Sequence, residues 1–451
     1  MEELLWLQES PPIHSVKTLK QHIMTAIVGI LNKRGIAIAA DSAATITNCK
    51  GRKVLNSETK IFRLSKKYPI SVMIYGSANF MSTPWDLIVK LYCSKRGNKS
   101  RNSVKEYVDD FIDFLGDEDY FCNKEIQEYT YRHQLIDFYL SVKDSAKSKF
   151  EKEENEKEEE EEINTYETFF MDELTEVEKF CKGMEEKCPE LSDYSFKSFI
   201  SDAEEHIDYI IEEGFKDEGF NLTLRELFEH AAYEWLKSTV FVGRSSGLVF
   251  CGYGENDIFP CIYPIEVAGA FNNRLRYFVN ERRIYQVSHE DSAAICPYAQ
   301  ADVMQTFMDG ISPDFREKIE NANKAVIDQV YSDIYKKLAD AGVNEEVLKL
   351  VEEVNKDEMK DKFENELSAY IQDEKDEGLL SAVDGFNMQE LASMAESLVS
   401  ITNLQRHITS SEESVGGPVD VAVITRHEGF IWVKRKMWFD SQLNRHVISE
   451  E

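Results

Sequence analysis

The stretch "MTAIVGILNKRGIAIAADSAAT", residues 24–45, decides the fold of this chain. Two runs of apolar and small residues are separated by the turn sequence "NKRG", which is typical of a β-hairpin. We therefore predict a hairpin over residues 25–41. Thr25 stands at the head of its first strand and Asp41 closes its second strand.

Three further groups alternate in the β manner and are joined by short turns. They are "KIFRL" with "ISVMIYG" at 60–76, the strand-like segments between 246 and 279, and "VDVAVIT" with "FIWVKRK" at 419–436. This alternation predicts antiparallel hairpins that are connected by helices.

Two long acidic regions, 96–240 and 310–385, interrupt this plan and have apolar residues at helical spacing. Thr83, Thr223 and Asn387 each have an acidic residue three positions later. This pattern predicts an N-cap and a helix start. We expect hairpins with covering helices, carrying two mainly helical acidic insertions.

The composition predicts a protein with a sizeable core, because 42% of its 451 residues are hydrophobic. A net charge of −31 argues against binding to nucleic acid or to an anionic membrane. We interpret residues 151–162, with nine Glu and two Lys, as a solvated stretch, and a docking surface for a basic partner stays an alternative.

The sequence favours a cytoplasmic protein without metal or cofactor. No apolar run reaches the length of a membrane helix, and residues 1–15 do not have the pattern of a signal peptide. The eight cysteines form no C-x-x-C pair and no Cys/His metal spacing, so we expect reduced thiols. No P-loop motif for nucleotide binding is found.

The order of hairpins and helices resembles the proteasome β-subunit and HslV peptidase family of N-terminal-nucleophile (Ntn) hydrolases. Residues 25–45, "KIFRL" at 60–64 with "IYGSA" at 74–78, and "SVGGPVDVAVIT" at 414–425 carry the resemblance, and residues 248–269 match more loosely. The resemblance implies a four-layer αββα sandwich of antiparallel sheets, an α+β fold. It covers neither helical insertion.

The spacing of the matched residues is that of the catalytic, β-type members of this family. Thr25 stands four residues before Gly29, and Asp41 follows Thr25 by sixteen. Lys60, followed by Ile61, matches the family's catalytic lysine. The resemblance therefore implies that Thr25 is the nucleophile and that Asp41 and Lys60 support it.

The chemistry explains why these residue types are needed. A threonine hydroxyl is a weak nucleophile until a base takes its proton, and a free α-amine on the same residue, with a pKa near 8, is such a base. A neighbouring lysine favours the neutral amine, and a buried aspartate holds that lysine. Backbone N–H groups stabilise the tetrahedral oxyanion. The resemblance places this donor between Met73 and Gly76.

Three features depart from the family pattern. The Gly-Ser-Gly turn before the third helix has no match, and Ser292 is the nearest hydroxyl. The supporting acid and serine before the Gly pair correspond to Glu412 and Val415, so the serine is lost unless Ser414 takes its place with a shift of one residue. Met24 precedes Thr25, where self-processing subunits have Gly, so the α-amine of Thr25 is blocked until this bond is cut or translation starts at Met24.

The predicted organisation follows from these matches. The expected segments are an N-terminal extension, which is a propeptide or a mis-assigned start, a core in three parts, two helical acidic insertions and a tail. In order they are 1–24 for the extension, 25–95 for the first core part, 96–240 for an insertion, 241–309 for the second core part, 310–385 for an insertion, 386–441 for the third core part and 442–451 for the tail.

Two functions remain open from the sequence. The first is a threonine-type hydrolase that cleaves peptide or amide bonds through Thr25, assembled as a homo-oligomer, with a separate ATPase as an expected partner by resemblance. The second is a catalytically inactive proteasome-like scaffold. The trio Thr25, Asp41 and Lys60 favours the enzyme, and the missing serines favour the scaffold.

Overall fold

The structure is a computed structural model that describes residues 25–48, 51–55, 57–116, 121–156, 165–214, 222–344, 348–349, 351, 355–409, 416–437 and 439. Over these residues the chain is α+β, with antiparallel strands in two larger sheets and many helices. Within the same ranges, every helix is too short or too polar to cross a membrane.

The strands and helices follow one another along the described chain. The strands are β1 Ala26–Asn32, β2 Gly35–Ala40, β3 Ala44–Asn48, β4 Gly51–Leu55, β5 Ile61–Arg63, β6 Ile70–Gly76, β7 Asn79–Phe80, β8 Thr83–Pro84, β9 Ser246–Gly252, β10 Cys261–Phe271, β11 Arg274–Val279, β12 Tyr285–Gln286, β13 Ala293–Ala299, β14 Asp420–Thr425 and β15 Gly429–Lys434. The helices are α1 Trp85–Lys95, α2 Val104–Leu115, α3 Lys124–Glu156, α4 Tyr166–Gly183, α5 Phe196–Gly214, α6 Leu222–Lys237, α7 Asp302–Asp309, α8 Pro313–Asp340, α9 Lys356–Glu374, α10 Ser381–Gly385 and α11 Met388–Thr409, with a π-helical turn at Lys375–Leu380.

The first sheet has the strand order β13-β1-β2-β14-β15. The predicted hairpin over 25–41 is confirmed as β1 and β2, joined by the exposed turn residues Lys33 and Arg34. Both strands are buried along their whole length, which explains their continuous run of apolar and small residues. The predicted pair at 419–436 is confirmed as β14 and β15.

The second sheet has the order β11-β10-β9-β6-β5, with β12 paired to β10. The predicted hairpin at 60–76 is confirmed as β5 and β6, and the segments between 246 and 279 form β9, β10 and β11. The turn between β10 and β11 consists of Asn272 and Asn273, with φ of 45° and 59°. Asparagine accepts this left-handed backbone more readily than most residues, so the hairpin closes tightly.

The two sheets face each other across an apolar core. Ile27 and Ile38 from the first sheet pack with Met73 and Ile262 from the second. The sheets approach closely at Gly29, because a Cβ placed there would lie 2.6 Å from Ile262 Cδ1. The outer face of the first sheet packs against α7 and α11, and that of the second against α1 and α2.

The first helical region contains a core of its own. Helices α3 to α6 form an apolar cluster that also includes Phe271 of the second sheet. Arg276 of β11 is fully buried at this junction, with its guanidinium carbon 4.1 Å from the Trp235 ring centroid. Its Nη2 donates to the carbonyl oxygens of Trp235 at 2.8 Å and Val240 at 2.9 Å. These contacts join the helical region to the sheet.

The second helical region is a pair of helices with little burial. Helix α8 has no buried residue among those described, and it pairs with α9 through ion pairs such as Lys324–Glu364, with Nζ and Oε1 2.8 Å apart. A helix of this length extends roughly 40 Å. The predicted boundaries stay predictions, although α2, inside the predicted 96–240 segment, packs on the second sheet.

Local sequence signals had mixed outcomes. The prediction for Asn387 is confirmed, because its Oδ1 accepts from the N–H of Glu390 at 3.1 Å and its own N–H donates to Glu390 Oε2 at 2.8 Å. The prediction for Thr83 is wrong, because Thr83 pairs in β8 and α1 begins at Trp85. Thr223 is also not a cap, since it lies inside α6.

Strand β13 was not predicted from the sequence. Its residues "AAICPYA" contain Pro297, which lacks a backbone N–H and argues against a central strand. β13 is an edge strand, paired only to β1 within the described residues, so the proline is tolerated.

Substituting Gly29 tests the close approach of the two sheets. We expect Gly29→Ala to lower the free energy of unfolding by about 1–3 kcal/mol, because the added methyl group must displace Ile262 in a packed core. Urea denaturation followed by circular dichroism measures this. Gly183→Ala is the matched control, because open space surrounds that position. Equal stabilities of the two variants would contradict the packing described.

Candidate active site

Thr25 lies at the start of β1 and is held from the side of β13. Its carbonyl oxygen accepts a hydrogen bond from the N–H of Gln300 at 3.0 Å, and the next residue, Ala26, pairs with Ala299. Thr25 is 5% exposed. The backbone of Thr25 is therefore fixed by the end of β13 and the residue that follows it, and Thr25 is buried.

Asp41 is brought to Thr25 by the antiparallel register of the first hairpin. β2 ends beside the start of β1, and the N–H of Asp41 donates to the carbonyl oxygen of Ala26 at 3.0 Å. The Asp41 carboxylate accepts from the Ala26 N–H through Oδ1 at 3.0 Å and from Ala43 and Gly416 N–H through Oδ2 at 3.2 and 3.3 Å. Three backbone donors thus fix the carboxylate in a buried position.

Lys60 completes the group from the second sheet. It directly precedes β5, and its carbonyl oxygen accepts from the N–H of Ile74 at 2.8 Å. Its Nζ lies 2.9 Å from Thr25 Oγ1 and 2.8 Å from Asp41 Oδ1. The three residues predicted as catalytic therefore lie together, with Lys60 hydrogen-bonded to both Thr25 and Asp41.

The electrostatics of Lys60 follow from its burial. Burial lowers the pKa of Lys60 below its ordinary value, and the Asp41 carboxylate offsets part of this effect. The nearby positive charge of Lys436 lowers the pKa further. A lysine of lowered pKa gives up its proton more easily than a solvated one, so this group is suited to proton movement at Thr25 Oγ1.

The segment 416–418 encloses Asp41 from the side of β14. The N–H of Ser42 donates to the carbonyl oxygen of Gly416 at 3.2 Å, and Ser42 Oγ donates to that of Pro418 at 2.5 Å. Gly417 has a φ of 76°, a conformation in which glycine carries no penalty. Gly417 therefore lets the chain turn beside the carboxylate.

A second buried ion pair lies beside the trio and was not found from the sequence. Asp420 begins β14 and pairs in register with Ala40. Its carboxylate accepts from the backbone N–H of Lys436 at 2.8 Å and forms an ion pair with the Lys436 Nζ. The signal was present as an acid at the head of a strand, but only the pairing of β14 with β2 brings it near Asp41.

The weaker predicted residues have other locations. Met73 is fully buried in the middle of β6, opposite Ile61, where its side chain belongs to the core between the sheets. Gly76 ends β6, is exposed and has a φ of 85°. Its role as an oxyanion donor stays a prediction. Glu412 and Ser414 lie outside the described residues.

The supporting role expected for Ser292 is corrected by the strand register. Ser292 adjoins Ala293, which pairs with Asn32 at the opposite end of β1 from Thr25. β1 has seven residues, so about 20 Å of strand separates the two positions. The turn beside Thr25 is instead formed by Ala299, with a φ of 63°, Gln300 and Ala301, and none of these has a hydroxyl group.

The described residues contain no cluster of three His, Cys, Asp or Glu side chains placed to hold a metal ion, and no disulfide joins the cysteines among them. No protein-family model, curated protein or solved structure matches this chain. The site must therefore be interpreted from its own geometry.

A double-mutant cycle tests whether Asp41 holds Lys60 as a buried cation. We expect Asp41→Asn to lower the free energy of unfolding by about 3–5 kcal/mol, because it leaves a buried ammonium without its counter-charge. Adding Lys60→Met to this variant should recover a large part of that loss, since it removes the uncompensated charge. Urea denaturation of the four chains gives the coupling energy.

The matched control is the exposed pair Asp86 and Lys90, whose side chains are 50% and 72% exposed. Asp86→Asn should change stability by no more than about 0.5 kcal/mol. If Asp41→Asn costs no more than this control, the Lys60–Asp41 pair is not the buried charge pair described above.

Proposed function

We propose that this chain is a threonine-type Ntn hydrolase, similar to proteasome β-subunits and HslV, that cleaves peptide or amide bonds by acyl transfer through Thr25. The observation that carries the proposal is the position of Lys60 Nζ, within hydrogen-bond distance of both Thr25 Oγ1 and Asp41 Oδ1. The finer description of the α+β fold as a four-layer αββα Ntn sandwich is part of the same proposal.

The proposed reaction requires a free α-amine on Thr25. After the bond between Met24 and Thr25 is cut, or after removal of an initiator Met24, the neutral amine takes the proton of Oγ1. Oγ1 then attacks the substrate carbonyl carbon, and the tetrahedral intermediate collapses to an ester as the leaving amine gains a proton. Water hydrolyses the ester and regenerates the Thr25 hydroxyl. The proton taken from Oγ1 passes to the leaving amine. In the second stage, the water that hydrolyses the ester returns a proton to Oγ1, and its oxygen leaves in the carboxyl product.

The supporting residues have separate tasks in this proposal. The ammonium of Lys60 stabilises negative charge that develops on Oγ1 and disfavours protonation of the Thr25 amine. Asp41 orients Lys60 through its fixed carboxylate. The oxyanion needs a backbone donor worth roughly 3 kcal/mol, for which Gly76 is the candidate. Because Thr25 is 5% exposed, a substrate reaches Oγ1 only after the residue is uncovered.

Substitutions in the trio test the proposed reaction directly. We expect Thr25→Ala to abolish labelling by an electrophilic peptide probe and to reduce peptide hydrolysis by at least about 1,000-fold, because no other group replaces the nucleophile. Lys60→Met should have a similar effect on hydrolysis. Intact mass and fluorogenic peptide assays measure both, with circular dichroism as the check of folding.

Ser292→Ala is the matched control, because that hydroxyl lies at the far end of β1. It should leave both labelling and hydrolysis unchanged. Labelling that survives Thr25→Ala would refute the assignment of the nucleophile.

The N-terminus decides whether the proposed enzyme is active. We expect protein from a gene that begins at codon 24 to have Thr25 as its first residue, because aminopeptidases remove Met before a small residue, and to be labelled. Protein that retains residues 1–24 should not be labelled, since its Thr25 nitrogen is an amide without basicity. Intact mass distinguishes the two forms. A folded, unlabelled chain that begins at Thr25 would count against catalysis.

A catalytically inactive scaffold is the second candidate, favoured by one observation. The turn from Ala299 to Ala301 beside Thr25 has no hydroxyl group, whereas the resemblance leads us to expect a serine there. A homo-oligomer and a separate ATPase partner stay proposals under either function. Light scattering of the full chain measures the assembly, and the probe experiment separates enzyme from scaffold.

A further inference from the structure

Gln300 follows the last residue of β13 and lies beside Thr25. Ala26 pairs with Ala299, the last residue of β13, so the next residue, Gln300, stands opposite Thr25. Its backbone N–H donates to the Thr25 carbonyl oxygen at 3.0 Å. The left-handed backbone of Ala299, with a φ of 63°, turns the chain at this point before α7 begins at Asp302.

The side chain of Gln300 has an unused acceptor. Its Oε1 is buried, and no donor among the described residues forms a hydrogen bond with it. A buried carbonyl oxygen without a donor costs about 1–3 kcal/mol, so natural proteins rarely keep one without a reason. The neighbouring buried polar groups differ in this respect, because the Asp41 carboxylate accepts four hydrogen bonds.

We propose that Gln300 Oε1 accepts a hydrogen bond from the α-amine of Thr25 once that amine is free, and so acts as the positioning residue for the proposed base. This inference rests on the proposed function and assigns the amine support that Ser292 cannot give. The amine gains two N–H donors or, when protonated, three, whereas the Thr25 amide has one. The new donors and the unused acceptor are then present at the same end of β1.

A neutral amide is chemically suited to this role. An amine that donates one N–H to a fixed oxygen loses rotational freedom, and its lone pair is directed to a defined neighbour, here Oγ1 of the same residue. A carboxylate in the same place would favour the protonated ammonium form and raise its pKa. Glutamine orients the amine without raising its pKa, so the amine stays largely neutral at a lower pH than it would beside a carboxylate.

Two variants of Gln300 test the inference in a chain that begins at Thr25. Gln300→Leu should lower kcat for peptide hydrolysis by about 10- to 100-fold with little change in KM, because it removes orientation of the base rather than substrate contacts. Gln300→Glu should move the acidic limb of the pH–rate profile upward by about one pH unit, because the added carboxylate stabilises the ammonium form.

A titration makes the result independent of catalysis. Selective ¹³C-labelling of threonine makes the Thr25 Cα resonance report on its unmodified α-amine, and an NMR titration of that resonance gives the amine pKa even in a chain that hydrolyses nothing. We expect this pKa to rise by about one unit in Gln300→Glu. Gln305→Glu, on the first turns of α7, is the matched control and should leave the pKa unchanged.

The outcomes separate the two proposals. An unchanged amine pKa or an unshifted pH–rate profile in Gln300→Glu would overturn the positioning role, as would full kcat in Gln300→Leu. A raised amine pKa in a chain that neither hydrolyses peptides nor reacts with the probe would support the juxtaposition of Gln300 and the amine, and would refute the proposed enzyme alone.

Discussion

A buried cation, the ammonium group of Lys60, is the constraint on which the site depends. Its burial is unfavourable by itself, and the Asp41 carboxylate 2.8 Å away compensates the charge. Asp41 is in turn fixed by backbone N–H groups from β1, from the residues after β2 and from the segment before β14. The charge pair therefore links four parts of the chain to Thr25, and its loss would leave a buried charge between two packed sheets.

Antiparallel pairing explains why these parts meet. β1 begins at the end of the sheet where β2 and β13 end and where β14 begins. Asp41, Gln300 and Asp420 therefore lie at the same end of the sheet as Thr25. Lys60 enters from the second sheet, where β5 pairs with β6. The two sheets approach closely at Gly29, since a larger residue at that position would contact Ile262.

The two helical regions are stabilised by different interactions from those of the two sheets. Helices α3 to α6 bury their own apolar cluster and are joined to the second sheet at Arg276, so they stabilise one side of the molecule. Helices α8 and α9 have few buried side chains and depend on ion pairs along their surfaces, which contribute little each. The described hydrogen bonds of the trio come from strand ends and the segments that adjoin them.

The sequence by itself indicated the hairpins, because short strand-like runs of apolar residues separated by short turns are local signals, and its resemblance to a known family led us to expect Thr25, Asp41 and Lys60 as a trio. The capping box at Asn387 was also readable, since it involves residues three apart. The tertiary structure alone decided the partners of β1. Strand β13 was hidden by Pro297, Ser292 fell at the wrong end of β1, and Gln300 and Asp420 came to the site through pairings between residues hundreds of positions apart. Such pairings depend on which strands share a sheet, and the free energy that selects them comes from burial of the whole core rather than from any local pattern.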